Sequence, residues 1–76
     1  MPEQLLIDCK GMKCPRPIIE IAKSSRKLTP GSILKVLADD LAFESDVKAW
    51  AENTDSTIIE FTRNGNQVEV SIKLKE

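Results

Sequence analysis

Few side chains in this 76-residue chain can do covalent chemistry, and they cluster near its start. Two cysteines are present, Cys9 and Cys14, and the second opens the run Cys14-Pro15-Arg16-Pro17. There is no histidine. That removes the usual base for a cysteine nucleophile and the commonest neutral metal ligand, so neither a Cys-His protease nor a Cys-His zinc site fits. A C-x4-C pair without histidine is a weak metal signal, and no metal or other cofactor is expected. What remains is chemistry that a thiol does by itself: exchange of sulfur as a nucleophile, or redox pairing with a second thiol.

The position of Cys14 favours the first. Apolar residues at helical spacing (Ile18, Ile21, Ala22, Leu28), with Glu20, Lys23 and Lys27 opposite, predict a helix beginning at the prolines. Proline is favoured at the first helical position, where its missing N–H would have had no partner. This makes Cys14 the N-cap, Pro15 N1, Arg16 N2 and Pro17 N3. Cysteine is not a good N-cap, and a residue that breaks a local stability rule is a candidate for function. The helix N-terminus together with Lys13 and Arg16 predicts a lowered thiol pKa, with the Arg16 N–H left to point at sulfur. The prolines would hold the backbone rigid beneath it. An inert thiol sealed in a proline turn is the alternative. Cys9 shares the parity of Leu5 and Ile7 on a short alternating strand, which turns it toward the core as a small hydrophobe. As a resolving thiol for Cys14 it is the lesser reading.

The elements that must position this thiol follow from periodicity. The first strand ends at Gly11, and Thr29-Pro30-Gly31 stops the first helix. A more continuously apolar strand, Ile33 to Ala38, reads as central. Asp39 and Asp40 offer a cap for a second helix with Phe43, Val47, Trp50 and Ala51 on one stripe. Thr57 to Thr62 and Val68 to Lys75 read as strands joined through Asn64-Gly65, with Val68, Val70, Ile72 and Leu74 facing inward. The order βαβαββ predicts an α+β two-layer sandwich: two helices on one face of a four-stranded mixed sheet, in a single domain over residues 1–76.

Composition sets the remaining bounds. Hydrophobic residues at 41% and charged residues at 30% are those of a folded globular chain. No apolar run is long enough to span a membrane and no signal peptide is evident, so a cytoplasmic protein is expected, with free thiols and as a monomer. Charge is unevenly spread. Residues 8–27 carry six cations (Lys10, Lys13, Arg16, Lys23, Arg26, Lys27) against two anions, and residues 39–60 carry seven anions against Lys48 alone. The thiol segment is the basic one, which suits an acidic protein surface, an anionic ligand or nucleic acid as neighbour; two solvated helix faces are the plainer alternative. Nucleic acid is not expected as a direct partner, because one Trp, two Phe and no Tyr give few surfaces for base stacking.

Taken together, Ile7-Asp8, Gly11-Met12, Cys14-Pro15-x-Pro17, Pro30-Gly31, Ala38-Asp39-Asp40 and Asp46-Val47 resemble the TusA (SirA-like) family of small sulfur carriers, from Leu6 to Lys75. The resemblance implies the same βαβαββ sandwich and a persulfide relay with no cofactor. Cys14 would accept sulfane sulfur from a cysteine desulfurase or rhodanese-like protein and pass it to an acceptor protein, as a sulfurtransferase-type carrier. Gly11, Lys10, Lys13, Pro15, Arg16 and Pro17 would support it. The destination implied is 2-thiouridine in tRNA, sulfur oxidation, cofactor assembly or selenium handling. Leu41 stands where the family usually has proline, Met12 where leucine is commoner, and Asp55-Ser56 where Gly-His is frequent; the branch stays open. The other class of function is a non-enzymatic, redox-sensitive interaction module using Cys9 and Cys14.

Overall fold

The computed structural model describes residues 3–76. Its elements follow the order β1 (Gln4–Asp8), α1 (Arg16–Ser25), β2 (Ile33–Ala38), α2 (Phe43–Asn53), β3 (Thr57–Asn64) and β4 (Gln67–Lys73). The strands form one mixed sheet in the order β1-β2-β4-β3. β1 runs parallel to β2 with Leu5 opposite Leu34 and Ile7 opposite Val36, as a strand–helix–strand connection requires. β4 pairs antiparallel with both β2 and β3. The two interior strands, β2 and β4, are also the most buried ones.

Alternation along β2 and β4 decides which face is covered. Leu34, Val36 and Ala38 from β2 and Val68, Val70 and Ile72 from β4 are buried on one face, together with Ile21 of α1 and Phe43 and Val47 of α2. The opposite face stays open, and Leu6 on it is 58% exposed. The predicted α+β sandwich with both helices on one side is the observed one. Among the described residues no helix is long and apolar enough to cross a membrane.

Two details differ from expectation, and a third, in β3, had no sequence signal. The apolar spacing carried α1 to Leu28, but the helix ends at Ser25; Lys27 and Leu28 then bond back to the carbonyls of Ser24 and Ser25, a tighter i−3 closure that keeps Leu28 against the core. The hairpin loop is Gly65-Asn66 rather than Asn64-Gly65, since Asn64 still pairs with Gln67. Gly65 has φ of 65° and Asn66 does not enter the left-handed region, as when glycine takes the first central place of a type II′ turn. In β3 the register shifts between Ile58 and Glu60, leaving Ile59 as the extra residue, 51% exposed.

Ser71 sits on the open face but is only 3% exposed, in register with Lys35 on one side and Glu60 on the other. Its Oγ has no hydrogen-bond partner among the described residues. An unpaired buried hydroxyl costs more than its deletion. Ser71→Ala is therefore expected to leave stability unchanged or raise it by up to about 1 kcal/mol, measured as the urea midpoint at constant slope. A clear fall would show that the hydroxyl is satisfied after all.

Candidate functional site

Between β1 and α1 the chain has no ladder or helix to satisfy its backbone, and the loop is shaped by three carboxylates. Cys9 N–H still donates to Leu37 O at 2.7 Å, extending the parallel pairing by one residue. A four-residue turn follows, with Met12 N–H bonding Cys9 O at 3.1 Å. Gly11 occupies its third position with φ of 84°, the left-handed conformation that type II turns assign to glycine. Asp8 Oδ1 accepts the Lys10 N–H at 2.9 Å, and Asp39 Oδ1 accepts the Gly11 N–H at 2.9 Å. Asp40 Oδ2 accepts the Cys14 N–H at 3.1 Å.

This corrects the role expected of Asp39 and Asp40. They do not cap α2, whose N-cap is Ala42 with no side-chain cap; they reach back from the end of β2 and tether the cysteine loop. The start of α1 is corrected as well. The N-cap is Pro15, Arg16 is the first helical residue and Pro17 the second, so the predicted start is one residue early. The Cys14–Pro15 peptide is cis. Arg16 N–H donates to Lys13 O at 2.8 Å and not to sulfur. A turn over residues 13–16 thus precedes the helix and holds Cys14 outside it. Pro17 is buried and roots α1 in the core, while Pro15 is exposed.

The two thiols are in opposite surroundings. Both are free; Cys9 is 1% exposed within the core, whereas Cys14 is exposed. Burial pushes the Cys9 thiol up first, with Glu20 and Asp8 adding to it and Arg16 acting against them. Cys14 is raised too, against the lowering expected. The first cause is its side-chain hydrogen bond to Asp46, where Sγ–H donates to Oδ2 at 2.7 Å; slight desolvation and the charges of Asp46 and Asp40 follow. The two carboxylates near the sulfur, Asp46 above all, set the direction of the shift.

Cys14 opens onto a groove of about 320 Å³ between the two helices, lined by Pro15, Ile18, Ala49, Trp50, Asn53 and Asp46. Trp50, expected in the core stripe of α2, is half-buried and forms one wall, while Phe43, Val47 and Ala51 are buried as expected. Leu41, next to Asp40, is 85% exposed. Lys10, Lys13 and Arg16 are exposed around the thiol, and no ion pair among the described residues involves any cation of residues 8–27. The structure therefore brings Gly11, Lys13, Cys14, Pro15 and Arg16 to one end of the molecule and leaves Cys9 beneath them in the core. Asp46 is the residue that sequence reasoning passed over. It belonged to the family pattern but had no role, and its contact with a residue 32 positions away has no local signature. Among the described residues no cluster of three or more His, Cys, Asp or Glu could hold a metal ion.

Comparisons with known proteins bear on the family and the fold. The family model described as Sulfurtransferase TusA matches residues 6–74. "Putative sulfur carrier protein YrkI" of Bacillus subtilis is 33% identical over 66 residues, covering 87% of this chain and 88% of that relative. A "Putative sulfur carrier protein" of Aquifex aeolicus is 28% identical over 71 residues; the match takes in 93% of this chain but 36% of the longer relative. The crystal structure of a SirA-like protein from Desulfitobacterium hafniense superposes with a TM-score of 0.82 at 27% identity, covering 95% of this chain and 99% of that one. The chain belongs to the TusA (SirA-like) family, whose relatives bear the name of sulfur carriers.

Proposed function

We propose that this protein carries sulfane sulfur as a persulfide on Cys14, taking it from one protein and passing it to another. The observation that carries the reading is the exposure of Cys14 on a loop tied down by Asp39 and Asp40, while the only other thiol is buried. A carrier needs a sulfur that a second macromolecule can reach and a backbone that does not yield when it does. Cys14 Sγ attacks the outer sulfur of a donor persulfide, and the donor's inner sulfur leaves as a thiol. Cys14–SH and R–S–SH become Cys14–S–SH and R–SH, with no oxidant, reductant or metal consumed. The donor is of the cysteine desulfurase or rhodanese-like kind, and the acceptor is a protein of tRNA 2-thiouridine synthesis or of sulfur oxidation. The protein works as a sulfurtransferase-type carrier in the cytoplasm.

The exposed cations Lys10, Lys13 and Arg16, near Cys14 along the chain and in no ion pair among the described residues, favour partners with an acidic rim. The groove of Pro15, Ile18, Ala49 and Trp50 beside it offers such a partner an apolar seat.

Loading the purified protein with a persulfide donor and weighing it is expected to show a gain of one sulfur atom that Cys14→Ala abolishes and Cys9→Ser retains. A Cys14→Ala protein that still gains the sulfur would end the carrier reading. Loss of loading in Cys9→Ser would favour a thiol pair instead. The charge argument has its own test. Reversing Lys10 and Lys13 to glutamate is expected to slow uptake from a protein donor by roughly tenfold at low salt. Uptake from an uncharged small-molecule donor should be unaffected, and raising the salt should narrow the gap.

A further inference from the structure

Asp46 is an unusual neighbour for a sulfur that is meant to carry negative charge. Its carboxylate projects from the first part of α2 into the groove, half-buried, and accepts the Cys14 S–H at 2.7 Å. Among the described residues it pairs with no cation and has no other side-chain hydrogen bond. The groove around the contact is largely apolar, with Pro15, Ile18, Ala49 and Trp50 as its walls. Two anions at that separation in such a place repel strongly, whereas S–H against a carboxylate is a charge-assisted hydrogen bond.

The two states of a sulfur carrier therefore meet Asp46 with opposite sign. Empty Cys14 has a proton to donate. Loading replaces that proton with an outer sulfur, whose own S–H is more acidic than a thiol because the resulting charge spreads over two sulfurs. Loaded Cys14 is thus an anion and cannot donate. From the persulfide reading above, we infer that Asp46 is a positioning residue for sulfur transfer: it holds the empty sulfur against α2 and drives the loaded, anionic sulfur out of the groove toward the acceptor. Asp46 from α2 and Asp40 from the β2–α2 connection face the sulfur, and Lys13 and Arg16 are its exposed near neighbours along the chain. The loaded sulfur turns away from the two carboxylates toward the open solvent side, where Cys14 is exposed. In the loading step Sγ bonds the donor's outer sulfur as the donor's S–S bond breaks, and the proton released from Cys14 ends on the departing thiolate.

The test separates the two states. Alkylation of unloaded Cys14 by iodoacetamide is followed across pH, with the adduct located by mass mapping. Asp46→Asn, which keeps size and acceptor but removes charge, is expected to move the rise in rate to lower pH and to increase alkylation severalfold at neutral pH. Asp46→Glu should return toward the parent profile. On persulfide-loaded protein the order should invert, with Asp46→Asn handing its outer sulfur to a small acceptor thiol severalfold more slowly than the parent. Coincident pH profiles would overturn the inference, and so would a loaded variant that transfers as fast as the parent. A parent protein that takes up no sulfur would strike the persulfide reading instead, while the alkylation profiles would still decide whether Asp46 holds the thiol. Trp50 fluorescence in the same groove checks that each variant is folded.

Discussion

The site depends on how a loop without secondary structure satisfies its backbone. Residues 9–15 lie between a strand and a helix, and a backbone N–H left unpaired in a crowded place is costly. Two of those amides, from Gly11 and Cys14, are taken by the consecutive carboxylates Asp39 and Asp40. Because β1 and β2 run parallel, the end of β2 lies beside the end of β1, and Asp39 and Asp40 follow β2 directly. The sheet register thus delivers the carboxylates to the loop. A one-residue slip of β1 against β2 would carry Cys9 to the wrong face and separate the amides from their acceptors.

The same register explains why one cysteine is inert and the other is not. Cys9 N–H bonds Leu37 O and continues the parity of Ile7, so its side chain drops into the core. Cys14 comes after a turn that only a residue tolerant of positive φ can make, and Gly11 is that residue. The helix that follows is rooted by buried Pro17 and Ile21, not by a cap at its first residue. Support for the thiol comes from packing below and tethers at the side.

The elements were legible because they rest on local periodicity. Alternation in Val68, Val70, Ile72 and Leu74, the apolar run of Ile33 to Ala38 and the stripe of Phe43, Val47 and Ala51 were each enough to place an element and its covered face. The errors fall where local rules were applied to residues whose partners are distant. Asp39 and Asp40 match the composition of a helix cap, yet their partners lie 28 and 26 residues back along the chain. The proline rule put Cys14 at the N-cap, but Lys13 O captures the Arg16 N–H and delays the helix. The thiol's surroundings were misjudged for the same reason. Counting only sequence neighbours gave Lys13 and Arg16, whereas the fold adds Asp46 at hydrogen-bonding distance.

That correction bears on the chemistry. A permanently ionised thiol would suit an enzyme that attacks small electrophiles, because its rate follows the thiolate fraction; nucleophilicity, however, falls as the pKa falls. A carrier has a different requirement. Its empty sulfur should not react with whatever diffuses past, and its loaded sulfur should react only inside a partner. A thiol kept protonated by a nearby carboxylate meets the first condition, since the thiol is a far poorer nucleophile than its anion. On the reading proposed above, the exposed cations Lys10, Lys13 and Arg16 bear on the second: they would attract acidic partner surfaces over distances comparable with the screening length, roughly 8 Å at physiological salt. On that reading the acidic residues close to sulfur and the exposed basic residues would act at different ranges, one on the proton and the other on the encounter. Exchanging the two layers would produce a reactive thiol with no means of choosing its partner.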